Sequence, residues 1–442
     1  MKTIFHILIL ITSAQLRSQD DSQNIDSLVT AYANIYRYNG TICVYQQGKT
    51  ILEKGYGYQD IANRLPNTPN TIFQIGSLTK QFTATVILKL AEQNKLTLQD
   101  NLEMYFPNYP KGHEITIHQL LTHTSGIFEY FKNPLYHLAI SDHALTKSER
   151  LSFFINEPMD FKSGGSFSYC NSGYELLGLI IEKITGKQYE QVVREMIIKP
   201  LHMVNTGFDF KNLKSDLKAK PYSLYSKHNV TEETPWDSTA TFSAGSIYSN
   251  AKDLYLWHNG LLRNQIISKE SLDKMYSPCL NGYGYASWID SIYTKKVISH
   301  GGNVAGFTSH FIRVPEDDIC IVLLNNTYNH EIEKIGNSIL AILYNQPYKL
   351  LEEMTFTQMD LKKCEGEYEV NSKYHIKIEV VYSHLSVQIN SDPKFEIYSD
   401  NANSFYSKDE DLRIKFKPDS NDVFSGIRIY KGLNSKSGVR IN

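Results

Sequence analysis

Along the first 345 residues the apolar positions change period several times. Ile25, Leu28, Val29, Tyr32 and Ile35 recur at threes and fours, which predicts a helix. Residues 41–45 and 50–52 predict two strands of a hairpin about Gln47-Gly48. Ile75, Leu78, Phe82, Val86 and Leu90 predict a buried helix that opens near Ser77 and ends near Asn94-Lys95. A short helix is expected over 115–121, and a buried one over 176–184 that Gly186 closes. Ser172-Gly173-Tyr174-Glu175 spells a capping box for that second helix. Further on, 254–262 and 266–275 read as helices, and 283–288 and 296–299 as strands. Residues 307–314 and 319–324 read as a hairpin about Pro315–Asp318, and 331–344 as an amphipathic helix.

After Asn345-Gln346-Pro347 the texture changes. Seven short alternating stretches follow, at 365–370, 375–380, 385–389, 395–398, 405–406, 412–416 and 427–430. Their close, regular spacing predicts a small barrel or sandwich.

Composition removes several classes of function. Lys plus Arg (45) and Asp plus Glu (47) nearly cancel to a net −2, so no basic field calls for nucleic acid. The start of the chain, with Ile4 to Ile11 apolar and Thr12-Ser13-Ala14 small, reads as a secretory signal over 1–18. No later stretch approaches the roughly 20 apolar residues of a membrane span. The five cysteines are scattered and odd in number, which is neither a disulfide framework nor a zinc site. No metal or organic cofactor is expected.

Three stretches carry candidate chemistry. Ser77 and Lys80 stand three apart, so hydroxyl and ammonium share one face of a first turn. There the unpaired N–H groups favour developing negative charge, and a desolvated lysine can take the serine proton. The same spacing occurs at Ser215–Lys218, Ser249–Lys252 and Ser271–Lys274, but only Ser77 has apolar flanks on both sides. The second stretch sets Tyr169 and Asn171 at the lip of the 176–184 helix, with Cys170 between them pointing away. The third is His300-Gly301-Gly302-Asn303, where glycines let the backbone approach a ligand and the Asn303 N–H could meet a carbonyl oxygen. His123 is read as a structural, hydrogen-bonded histidine.

The ordered set Ser77-x-x-Lys80, Tyr169-x-Asn171 and His300-Gly301-Gly302 resembles the serine beta-lactamase and penicillin-binding-protein superfamily. The class C branch, with its D-aminopeptidase, carboxypeptidase and esterase relatives, is the nearest in pattern, and the likeness covers about residues 24 to 345. The resemblance implies an α+β fold: an antiparallel sheet flanked by the terminal helices, with a helical insertion between strands. It implies a hydrolase domain over 24–345 and, over 350–442, a domain similar to the lipocalin-like β-barrels attached to some of these hydrolases. It also implies Ser77 as nucleophile, Lys80 and Tyr169 as proton carriers, Asn171 as orienter, and Ser77 and Asn303 amides as an oxyanion hole. His300, Gly301 and Gly302 would line the opposite wall.

The implied activity is serine hydrolysis of amide or ester bonds, in D-amino-acid or cell-wall-type peptides, by an exported bacterial enzyme, periplasmic or secreted. A true class C beta-lactamase and a slow-deacylating penicillin-binding receptor stand as alternatives. The barrel would serve homo-oligomerisation or access to the pocket, or be a passive appendage. Two departures from the family pattern bear on substrate. His300 stands where the lactamases usually carry lysine, and Ser163-Gly164-Gly165-Ser166 lacks the usual proline. A histidine titrates near ~6.5, so mild acid is expected to charge His300 and favour carboxylate-bearing substrates.

Overall fold

In the computed structural model, the strand Ile319–Asn325 is buried at every position, which explains why its sequence runs apolar without alternation. It lies near the middle of a six-stranded antiparallel sheet. The structure describes residues 20–35, 37–225, 230–350, 357–381, 384–401, 403–407, 412–419, 424–431 and 434–441. The predicted export signal, 1–18, lies outside them.

The sheet strands are β1 (Gly40–Gln46), β2 (Lys49–Tyr56), β3 (Trp288–Ile292), β4 (Lys295–Val304), β5 (Phe307–Val314) and β6 (Ile319–Asn325). Their order is β2-β1-β6-β5-β4-β3, so the first strand pairs with the last and closes a segment of more than two hundred residues. β4 is longer than the sequence suggests. It continues through His300-Gly301-Gly302-Asn303 because Ala305 and Gly306, both at positive φ (40° and 79°), make a two-residue turn into β5. The strand expected over 283–288 is displaced. Residues Leu280–Gly282 form a short 3₁₀ turn, and pairing begins at Trp288.

Five α-helices between residue 20 and residue 262 matter here, with one more near residue 340. They are α1 (20–34), α2 (Thr79–Glu92), α3 (Asn171–Thr185), α4 (Ser238–Gly245), α5 (Ala251–Leu262) and α6 (Ile332–Leu343). α2 is the axis of the insertion between β2 and β3. Eleven of its fourteen residues are buried, among them Lys80, Gln81, Thr83 and Thr85. Such a helix needs partners for its polar side chains. Thr83 Oγ1 donates to Ser243 O at 2.7 Å and meets Tyr189 Oη at 2.7 Å, and Gln81 Nε2 donates to Ser287 Oγ.

α3 starts five residues before its apolar run, at Asn171, and ends as expected on Gly186 at φ 68°. The predicted capping box is absent. Ser172 lies inside the helix, donating to Phe128 O, and Glu175 is buried in an ion pair with Arg150 at 2.8 Å.

The chain divides into two compact units. One comprises Gly40–Pro221 and Thr234–Asn326, and holds the sheet and the insertion. The other gathers the segment up to Asn39, Tyr222–Glu233 and everything from Thr327 onward. Its main feature is a closed eight-stranded barrel: β7 (Gly366–Val370), β8 (Tyr374–Val381), β9 (His384–Ile389), β10 (Phe395–Asn401), β11 (Ser404–Ser407), β12 (Leu412–Pro418), β13 (Phe424–Lys431) and β14 (Asn434–Arg440). Tyr368, Ile378, Val387, Ile414, Phe416 and Ile427 fill its interior. Sequence periodicity marks seven of these strands; the eighth, β14, pairs with β7 through Tyr368↔Arg440 and Glu369↔Val439 and shuts the barrel. No helix among the described residues is long and apolar enough to cross a membrane.

Candidate active site

The backbone turns sharply at Gly76 (φ 52°) between the two-residue strand Phe73–Gln74 and a 3₁₀ turn, Gly76–Leu78, that runs into α2. Ser77 sits on that turn, and β4 is pressed against it. A Cβ on Gly76 would lie 2.8 Å from Asn303 N, and one on Gly302 would lie 2.1 Å from Ile75 O and 2.9 Å from Ser77 N. Backbone therefore meets backbone here, and only glycine permits it. Ser309 Oγ on β5 fastens the same turn by donating to Ile75 O at 2.8 Å. Gly301 differs from its neighbour, since its nearest obstacle is Ser309 O at 3.5 Å, an ordinary contact.

Lys80 is fully buried, and all of its donors are directed. Nζ lies 3.0 Å from Ser77 Oγ, 2.7 Å from Asn171 Oδ1 and 2.9 Å from Ala244 O. The last contact comes from a break in α4. Phe242 is held at φ 35°, ψ −125°, which turns the carbonyls of Ser243 and Ala244 onto Thr83 and Lys80. Burial brings the Lys80 pKa down to about 7, while the charge of Glu129 opposes that fall. At neutral pH the amine is thus free to accept a proton in a large fraction of molecules.

Tyr169 approaches from the segment before α3. Lys80 Nζ lies 4.9 Å from the centre of its ring and 5.5 Å from that of Tyr174. The Tyr169 hydroxyl is buried and close enough to Ser77 for the serine to offset some of its raised pKa, yet it makes no hydrogen bond of acceptable geometry. Burial pushes that phenol well above its usual range, so it is a proton donor at neutral pH.

Asn171 is oriented by Glu129, a residue that sequence reasoning missed. The Glu129 carboxylate accepts from both Asn171 N and, at 3.1 Å, Asn171 Nδ2. With Nδ2 so engaged, Oδ1 is the atom left to face Lys80. A negative charge at the first residue of α3 also suits the helix dipole. Glu129 is itself buried, and desolvation raises its pKa against the pull of those hydrogen bonds and of Lys80. A lone acid within the apolar run Ile127-Phe128-Glu129-Tyr130-Phe131 was the available signal, because a buried carboxylate needs a reason.

His300 stands on β4, hydrogen-bonded through Nε2 to Tyr283 Oη at 2.9 Å and through Nδ1 to Gly301 O at 2.6 Å. The carbonyl can only accept, so Nδ1 carries the proton and Nε2 accepts from Tyr283. The expectation that mild acid would charge His300 does not hold. Burial and the neighbouring Lys80 push its pKa down to about 3. His123, at φ 58°, accepts from Cys170 N at 3.0 Å and packs tilted against the Tyr169 ring, 4.2 Å between centroids, the structural role expected of it. Cys170 Sγ turns to Ile127 O at 3.3 Å.

The predicted residues Ser77, Lys80, Tyr169, Asn171, Gly302 and Asn303 thus converge, with His300 beside Tyr169 at 6.1 Å between rings. Ser249 is buried against Thr206 at 2.7 Å, and Ser271 bonds to Ser268, so neither resembles this arrangement.

The family model described as Beta-lactamase matches residues 25–343. A Bacillus subtilis (strain 168) protein named for penicillin binding, PbpX, is 30% identical over 332 residues, which cover 74% of this chain and 80% of that one. The octameric penicillin-binding protein homologue from Pyrococcus abyssi is 26% identical and superposes with a TM-score of 0.68 over 95% of this chain and 99% of its own. The D-amino acid amidase from Ochrobactrum anthropi SV3, complexed with D-phenylalanine, shares the fold at 24% identity and a TM-score of 0.63, over 72% of this chain and 99% of that one.

Proposed function

The chain belongs to the Beta-lactamase family, and from that premise we propose that it is a serine hydrolase that works through an acyl-enzyme on amide or ester bonds. One observation carries the reading: a fully buried Lys80 amine, brought to a pKa of about 7, lies 3.0 Å from Ser77 Oγ. Ser77 Oγ attacks the carbonyl carbon as its proton passes to Lys80 Nζ. The resulting oxyanion is held by the N–H groups of Ser77 and Asn303. Collapse breaks the bond to the leaving group, which takes a proton from the Tyr169 hydroxyl, and the proton on Lys80 restores the phenol. Water then adds to the acyl group, loses its proton to Lys80, and Ser77 leaves as the alcohol.

The Glu129–Asn171 pair positions Lys80 during both halves. His300 is neutral and both its ring nitrogens are engaged within the protein, so no fixed cation stands at this position, which supports substrates without a carboxylate beside the scissile bond. D-amino-acid amides and esters are the first substrates to try. A second reading, acylation by penicillin without turnover, is favoured by the name of the Bacillus subtilis relative.

We take 24–345 as the hydrolase domain and 350–442 as an accessory barrel, on an exported bacterial protein whose signal occupies 1–18. The octameric Pyrococcus relative supports homo-oligomerisation. The deciding experiment is peptide mapping after a fluorophosphonate probe, with rates on D-amino-acid amides, nitrophenyl esters and a chromogenic cephalosporin. Wild type should carry one adduct on Ser77 and Ser77→Ala none. An adduct on Ser215, Ser249 or Ser271 would overturn the assignment.

A further inference from the structure

The unit that contains the barrel also encloses a cavity of about 310 Å³ whose charge is one-sided. Its walls come from three stretches far apart in sequence. Arg37 follows α1, Glu331 and Lys334 stand at the opening of α6, and Arg413, Lys415 and Tyr430 lie on β12 and β13. The two-residue period of β12 explains the last group. Leu412, Ile414 and Phe416 are buried inside the barrel, so Arg413 and Lys415 must face outward.

Among the described residues, Glu331 is the one carboxylate that lines the cavity, against the four cations Arg37, Lys334, Arg413 and Lys415. That carboxylate is already engaged. Both its oxygens are held by the Arg413 guanidinium, at 2.8 and 3.0 Å, with each side chain only 11% exposed. Lys334 Nζ reaches it at 3.7 Å. Arg37 is steadied by donating to Leu412 O at 3.0 Å, and Lys415 Nζ stands 5.5 Å from the centre of the Tyr430 ring. Positive groups gathered from three directions repel one another, and an anion placed among them removes that cost.

We propose that this cavity binds a phosphate group carried on a small molecule. A planar carboxylate is satisfied by one guanidinium fork, as Glu331 already is. A tetrahedral group with several charged oxygens can be met from three sides at once, by Arg37, Lys334 and Lys415. The volume stands at the small end of the range for ligand pockets, and the Tyr430 ring gives the organic part a flat wall. Because α6, β12 and the segment after α1 all contribute, the bound ligand fastens three parts of this unit together.

The test uses the full chain in a low-salt buffer without phosphate, titrated calorimetrically with inorganic phosphate and with glycerol phosphate. A saturable single site that weakens as salt rises is expected. In the double variant Lys334→Gln with Lys415→Gln, affinity should fall by about tenfold or more, which is ~1.4 kcal/mol. Lys415→Arg, which keeps the charge, should bind nearly as wild type does, and matching melting curves would show that all variants fold. A second arm sediments the protein with phosphatidylglycerol or phosphatidylcholine vesicles. Co-sedimentation with the first alone, lost in the double variant, identifies a lipid headgroup as the phosphate source. Phosphate binding without co-sedimentation identifies a soluble one. Absence of saturable binding by the wild type, or equal affinity in the double variant, overturns the proposal.

Discussion

The pocket around Ser77 and the C-terminal barrel are built on opposite principles. Every strand of the barrel pairs with its neighbour in sequence, save for the single closing contact between β7 and β14. The pocket draws instead on residues near positions 77, 129, 171, 244 and 302, which no short-range pattern links. The barrel is therefore a repeated local solution. The pocket is a long-range one, in which burial changes what ordinary residues do. Lys80 becomes a candidate base because of where it sits, and the glycines matter singly.

The heaviest blow to the pocket is removal of the amine. Lys80→Ala should lower kcat/KM by roughly 10² to 10⁴, the range expected for a lost general base. Far-UV circular dichroism should stay as in wild type, so that a loss below tenfold in a folded variant would refute the role.

Next come the two glycines, identical in sequence and unlike in space. Gly302→Ala places a methyl group 2.1 Å from Ile75 O, and the forced shift of the Ser77 turn should cost about 10² in kcat. Gly301→Ala, with 3.5 Å to spare, should retain activity within about threefold of wild type, as expected for a contact that stays at van der Waals distance. Equal effects of the two changes would mean that the close approach does not hold the site.

A smaller and more diagnostic effect concerns proton affinity. Lys80 must be neutral to act, so kcat/KM should rise with pH through about 7 and fall tenfold per unit below it. The charge on Glu129 raises that pKa, so Glu129→Gln should move the limb to lower pH while costing about tenfold in rate, ~1.4 kcal/mol, through a poorly held Asn171. His300, with its pKa near 3, should add no inflection between pH 5 and 8.5. A limb that moves upward, or stays in place, would break the link between Glu129 and Lys80.

The least effect on catalysis is expected from the barrel. Gly438 lies on β14 where a Cβ would meet Val370 Cγ2 at 2.5 Å and Glu369 O at 2.8 Å. Gly438→Val should destabilise the barrel by about 1–3 kcal/mol, read as a lower melting temperature, with kcat/KM on small esters unchanged. A matching loss of activity would show that the two regions do not behave independently.

The sequence by itself determined the elements and the three motifs. Apolar periodicity found α2, α3, α6 and the β5–β6 hairpin, and Gly186 marked the end of α3 because positive φ favours glycine. Ser77 and Lys80 were legible because spacing on a helix fixes which side chains share a face, and Tyr169 and Asn171 because they stand at the start of a buried helix in the order of a family motif. Only the tertiary structure decided what those residues become. It extended β4 through Asn303, put Glu129 behind Asn171, and closed the barrel with Asn434–Arg440, whose Asn-Ser-Lys-Ser-Gly opening carries no apolar alternation. It also set the proton affinities of Lys80 and His300 in opposition to their usual values in water. Those quantities depend on desolvation and on charges brought close by packing, and neither is a property of neighbouring letters in a chain.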